Sequence, residues 1–337
     1  MERLVCFDLE GPLSPQDNAY EVMGLVPRGH EVFEVISRYD DLLAIEGREE
    51  YEPGDTLALI VPFLVYHGIA ATDIRRVSDR AYLVPGAKEL VANLLQRDWR
   101  VHIVSTSYEQ HALNIASKLG LRPESVDCTA FPLDALAGRL TEEELRVVGE
   151  AEQYILAELC HDDLGSGTKD HLIKPYLDWF YWERLRRSGL GVANKTIEVV
   201  GGRRKVWAIE RIAVRHRLGL RDVVFVGDSI TDAQAARCIE ASGGLSIAFN
   251  ANAYVLPYAT VGVASTSLSD IAAVLQAWAR GGRTEVKRNL TGRARRPGRG
   301  VMRRDWLVGK SRRALATVLK AHAEARQLVR RQAAKLG

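Results

Sequence analysis

Paired cysteines are missing from this sequence. The four it has (Cys6, Cys128, Cys160 and Cys238) are scattered with no C-x-x-C among them. That spacing argues against a zinc site or a disulfide framework and fits a reducing compartment. No apolar run approaches the roughly 18–20 residues that a membrane-spanning helix needs. The first residues enter a strand-like run directly, without the charged and apolar regions of a secretory leader. These absences lead to the expectation of a soluble, cytoplasmic protein. Internal repeats are also lacking.

Charge is present but unevenly placed. From position 283 onward there are 17 Lys and Arg against 3 Asp and Glu, and the first 282 residues carry 29 against 40. An acidic body is thus expected to end in a basic extension. That extension, 283–337, reads as a disordered or weakly helical arm. Contact with a polyanion or an anionic membrane surface are the other readings, and few aromatics are present to stack on bases.

The most informative stretch is Leu4-Val5-Cys6-Phe7-Asp8-Leu9-Glu10-Gly11. Four apolar residues form a short buried strand, and Gly11 and Pro12 end it. Asp8 and Glu10 therefore stand where the chain leaves the sheet, and the two-residue period aims them the same way. Three further buried strands are expected at Val101–Val104, Val223–Val226 and Leu245–Phe249. The first two end in chemistry-bearing groups: Ser105-Thr106-Ser107 and Gly227-Asp228-Ser229-Ile230-Thr231-Asp232. Lys205 opens a helix between them. Strands alternating with helices indicate an α/β fold with a doubly wound parallel sheet. Residues 1–17, 84–132 and 197–282 are assigned to this core. Residues 18–83 read as a helical cap inserted after the first strand. Residues 133–196, introduced by the capping box Thr141-x-x-Glu144, read as a second helical insert.

Together these groups suit chemistry on a phosphate monoester, whose dianion must be neutralised before attack. Mg²⁺ takes hard oxygen ligands and only one or two carboxylates, so Asp8 and Asp228 are candidate ligands, with Glu10 and Asp232 beside them. Asp8 is the candidate nucleophile and Glu10 the candidate acid and base. Ser105 and Lys205 are candidate holders of the phosphoryl oxygens, with Thr106 and Ser107 as rival hydroxyls and Arg203 and Arg204 as rival cations. Asp17, Asn18 and Asn250 are weaker candidates for facing the substrate. Turn and cap roles explain them equally well. His161, Asp162 and Asp163 read as a solvated loop.

The set resembles the haloacid dehalogenase superfamily of phosphohydrolases. That superfamily places an Asp after a first strand, a Ser or Thr after a second, a Lys at a helix start and a G-D-x-x-x-D turn after a third. Lys205 to Ala213, K-V-W-A-I-E-R-I-A, is similar to the K-G-E-I-L-E-K-I-A pattern of its phosphoserine-phosphatase-like branch. The opening D-L-E-G-P-L-S-P-Q-D-N-A-Y-E also resembles archaeal proteins labelled energy-converting hydrogenase A subunit R. The resemblance implies a Mg²⁺-dependent phosphomonoester hydrolase that forms an aspartyl-phosphate on a small phosphorylated metabolite, phosphoserine being one possibility. Phosphotransfer to an alcohol, or a non-catalytic accessory or polyanion-binding role, are the alternatives. Two departures stand out. Glu10 replaces the usual Asp, and Thr106-Ser107 replaces Gly-Gly in the phosphate loop.

Overall fold

Strands β1 (Arg3–Phe7), β2 (Trp99–Tyr108), β3 (Val126–Thr129), β4 (Val223–Gly227), β5 (Leu245–Phe249) and β6 (Val261–Ser265) lie parallel in one sheet. A seventh strand, β7 (Val301–Trp306), runs antiparallel along the edge of β6. The spatial order is β3-β2-β1-β4-β5-β6-β7. This architecture comes from a computed structural model that describes residues 3–49, 51–137, 141–160, 167–185, 188, 197–291 and 301–330.

The strands read as unbroken apolar runs because both faces of the sheet are covered. Alternate residues divide between two cores. Val5 and Phe7 pack with Leu90, Ile115 and Leu275 on one side. Leu4 and Cys6 pack with Ile209, Ile212 and Ile239 on the other. The helices Ala87–Gln96, Glu109–Lys118 and Ala272–Thr291 therefore cover one face, and Gly202–Arg215 with Ala233–Ala241 the other.

Two helical segments interrupt this sheet. One follows β1 and includes Gly29–Glu46 and Ala71–Asp79. The other follows β3 and includes Glu142–Tyr154 and Asp170–Asp178. The capping box at Thr141 is present, with the Thr141 amide donating to Glu144 Oε2 at 2.8 Å. Both segments contribute to one hydrophobic cluster, in which Ile36, Tyr39 and Phe63 meet Val148, Phe180 and Tyr181. A single layer of amphipathic helices cannot bury its own apolar stripe, so each segment supplies the other's missing face. The Trp179–Trp182 cluster serves this contact: Tyr181 stacks on Tyr39 and donates to the Leu59 carbonyl at 2.8 Å. Among the described residues no single helix is long and apolar enough to cross a membrane. Residues 161–166, which include His161, Asp162 and Asp163, lie outside the described residues.

The region after position 282 differs from the sequence reading. Its described residues, 283–291 and 301–330, are not a disordered arm beside the body. The Ala272–Thr291 helix bends at Gly281 and Gly282 and continues. β7 then joins the sheet, and the Arg312–Arg330 helix packs against the end of the sheet formed by β6 and β7. Its buried residues, Val318, His322, Ala325, Arg326 and Val329, recur at three- and four-residue spacing and define one helix face. Dense positive charge masked that face, because its two polar members are buried too, His322 against the Ala251 amide and Arg326 against the carbonyls of Asn250 and Asp228.

Candidate active site

β1 has β2 on one side and β4 on the other, and the strand order reverses there. A crevice opens outside the carboxyl ends of strands at such a switch point. Asp8 leaves β1 and Asp228 leaves β4, so the topology sets the two carboxylates across that crevice. Asp232 closes the group from the turn after β4. One carboxylate oxygen from each of Asp8, Asp228 and Asp232 lies within 4.8 Å of the others, and all three residues are buried.

Three cations balance these acids. Lys205, fully buried on the Gly202–Arg215 helix, donates to Asp232 Oδ1 at 2.6 Å and sits 3.1 Å from Asp8 Oδ1. Burial pulls its ammonium pKa down, but Asp232 and Asp8 outweigh burial and the net shift is upward. Arg326 and Arg330 reach in from the C-terminal helix. Arg330 Nη2 donates to Asp228 Oδ2 at 2.8 Å, and Arg326 Nη2 donates to the Asp228 carbonyl at 2.9 Å and approaches Oδ2 at 3.3 Å. Burial raises the Asp228 pKa, and the two arginines oppose it. Asp8 is raised well above the carboxylate range, first by burial and then by Asp232, with Lys205 opposing. Asp232 also accepts the Asp228 and Ser229 amides at 2.7 and 3.1 Å, which fixes the turn.

A cavity of about 290 Å³ opens above this cluster, between core and cap. Asp8, Glu10, Asp17, Asp228, Thr106 and Arg330 line it from the core, and Asp40, Asp41, Gly54 and Thr56 from the cap. Gly54 is needed at this seam. Its φ is +98°, and a Cβ there would stand 3.1 Å from the methyls of Thr106 and Thr231. The loop carrying it is tied to the core, for Arg203 Nε donates to Glu52 at 2.5 Å and Arg204 Nη1 to Asp55 at 2.5 Å. Arg203 and Arg204, the rival cations of the sequence reading, thus pair with Glu52 and Asp55, and of the three only Lys205 is bonded to the acid cluster among the described contacts.

Glu10 stands apart from the carboxylate cluster in which it was also expected. It accepts from Ser107 Oγ at 2.6 Å and from the Asn18 amide at 3.0 Å. Burial, then the charge of Asp17, pushes its carboxyl up to about 7. Asp17 lines the cavity and caps the helix Asn18–Met23 through the Tyr20 amide at 3.0 Å. Asn18 is buried, and its side-chain amide has no hydrogen-bond partner among the described residues. Ser105 is fully buried and accepts the Ser107 amide at 3.0 Å, whereas Thr106, its rival, lines the cavity. Asn250 does not face the cavity. Its side chain bridges to Ser265, donating to the carbonyl at 2.8 Å and accepting the amide at 2.9 Å, so it staples β5 to β6.

The sequence reading missed Arg326 and Arg330. The available signal was His322, Arg326 and Arg330 at four-residue spacing, which places three polar heads on one helix face. His322 Nδ1 accepts the Ala251 amide at 2.8 Å, and Arg326 Nε donates to the Asn250 carbonyl at 2.9 Å, so this face tracks the loop beside Asp228.

No protein-family profile and no curated protein sequence matches the chain. Solved structures do. A gene product of Archaeoglobus fulgidus is similar over 100% of this chain and 99% of its own, at 28% identity and a TM-score of 0.82. A phospho-aspartyl intermediate analogue of phosphoserine phosphatase matches 81% of this chain and 98% of its own, at 19% identity and a TM-score of 0.51. A substrate-bound phosphoserine phosphatase complex matches the same shares at 18% identity and a TM-score of 0.52. At those identities the last two speak for architecture alone. Together with the sheet order and the inserted helices, they show that the chain has the haloacid-dehalogenase-like α/β fold.

Proposed function

We propose that the chain is a Mg²⁺-dependent phosphomonoester hydrolase acting through Asp8 on a small phosphorylated metabolite. One observation carries this reading. Asp8 ends β1 at the switch crevice, inside a cluster of three buried carboxylates with a buried lysine between two of them. A strand end that merely needed solvation would not be buried beside two more acids.

The donor set fits a hard divalent cation. Asp228 Oδ1 is buried with no hydrogen-bond partner among the described residues, and carboxylate oxygens of Asp8 and Asp232 lie within 4.8 Å of the one Asp228 offers. Asp8, Asp228 and Asp232 would hold the ion, which when bound neutralises phosphate charge and draws the carboxyls into their ionised forms. The rest falls to the chain. The Leu9 amide, at 2.8 Å, and Lys205 hold Asp8 Oδ1, which orients Oδ2 as the nucleophile toward phosphorus. Glu10, protonated near neutral pH, gives its proton to the leaving alcohol; ionised, it takes one from the water that cleaves the aspartyl-phosphate. Ser107 keeps that carboxyl in place. Thr106, at the cavity wall, and the buried Ser105 supply hydroxyls for the phosphoryl oxygens, and Lys205 supplies charge. The cap, tied down through Glu52 and Asp55, excludes water during attack.

Release of inorganic phosphate from a panel of small phosphomonoesters, with and without Mg²⁺, tests this. Wild type is expected to turn over at least one member, and Asp8→Asn is expected to lose at least a thousandfold in rate, in keeping with removal of a nucleophile. Turnover that survives Asp8→Asn would mean that the chemistry belongs elsewhere.

A further inference from the structure

The Arg312–Arg330 helix completes the acid cluster with side chains that no strand-end motif supplies. Arg330 lines the cavity and bonds Asp228 Oδ2 at 2.8 Å. Among the described residues that line the cavity it is the only basic one, facing Asp8, Glu10, Asp17, Asp40 and Asp41 as well as Asp228. The backbone is shaped to admit it. Gly11 has φ +97°, and a Cβ there would lie 2.5 Å from Arg330 Nη2 and 2.3 Å from Asp228 Oδ2. Any side chain at position 11 would therefore separate the pair. Arg326 is committed to the loop carbonyls of Asn250 and Asp228, which fixes the helix and leaves Arg330 at its end as the member that reaches the cavity.

We propose that Arg330 is a resident counterion of this site, which a divalent cation displaces from Asp228, so that the C-terminal helix sets the affinity for that cation. The proposal rests on the reading of the carboxylate cluster as a cation site. Its physical basis is like-charge repulsion. A guanidinium bonded to one oxygen of a carboxylate opposes a cation on the other, and in a buried cluster little solvent screens it. Arg330 is thus a positioning residue that acts through Asp228, and its contribution appears in binding before any turnover.

The experiment is calorimetric titration of metal-free full-length protein with Mn²⁺ alone. R330Q removes the charge, R330K keeps it, and Lys320→Gln removes an equal charge from an exposed position on the same helix. The expected result is binding about tenfold tighter or more in R330Q, near wild type in R330K and unchanged in Lys320→Gln. Equal or weaker binding by R330Q overturns the proposal, as does an equal gain in Lys320→Gln. Mn²⁺ that binds neither wild type nor R330Q overturns it together with the cation site. A normal R330Q gain beside turnover that survives Asp8→Asn leaves Arg330 in its role and removes the nucleophile assignment instead.

Discussion

Lys205 concentrates the site's physics in one side chain. It is fully buried and bonded to two carboxylates, so its worth lies in what its loss would strand. Removing one partner of a buried ion pair leaves an uncompensated charge, which costs more than the pair itself contributes. Lys205→Met is expected to lose roughly 3–5 kcal/mol of stability at pH 8 in chelator, read by urea unfolding. The deficit should shrink toward pH 5, because Asp8, whose carboxyl burial already raises, then takes up a proton in the fold. A deficit that is flat with pH would show that packing, not charge, is what Lys205 supplies. Of the site's residues, Asp8, Asp228, Asp232 and Lys205 were legible in the sequence, since strand ends and a helix start announce them. Asn250 was not, because its side chain answers to backbone groups of Ser265, a partner that only the sheet order brings near.

At the scale of elements, the cap carries its own titrating group. Asp40, on the Gly29–Glu46 helix, is buried and accepts from the Tyr51 hydroxyl. Burial pushes its carboxyl up to about 7, from 3.8 in the unfolded chain. The folded state therefore holds the proton more tightly. Stability from this group is intact below about pH 4, falls as pH rises toward 7 and is level above that. Asp40→Asn removes the limb. The variant's melting temperature is expected to gain on wild type between pH 4 and pH 7, by the equivalent of a few kcal/mol at most. A constant difference across that range would place the titration elsewhere. The helices of the cap were readable from their periodicity. Their joining into one core was not, since no local pattern shows that the stripe on residues 29–46 awaits partners more than a hundred positions on.

The whole molecule depends on its last described elements. β7 covers the edge of β6, and Leu307 and Val318 complete a cluster with Ala248, Val255 and Leu256. A chain stopped after Thr291 is expected to aggregate, because it exposes that cluster and an unpaired strand edge. Soluble yield and sedimentation velocity check this, and a monodisperse, soluble truncation would show the region to be dispensable. Composition hid this dependence. A run of arginines reads as a solvated arm, and only the sheet order shows that a strand lies within it.

The bond between Arg330 and Asp228 also has a meaning in time. A ribosome makes Asp8 early and Arg330 late, so during synthesis the nascent acids wait for their counterions. A stalled chain would present Asp8, Asp228 and Asp232 with Lys205 as their one described basic neighbour, and with β6 uncovered. The step that balances the cleft is also the step that seals the sheet, so a chain with a finished site is a chain that has been translated through the Arg312–Arg330 helix.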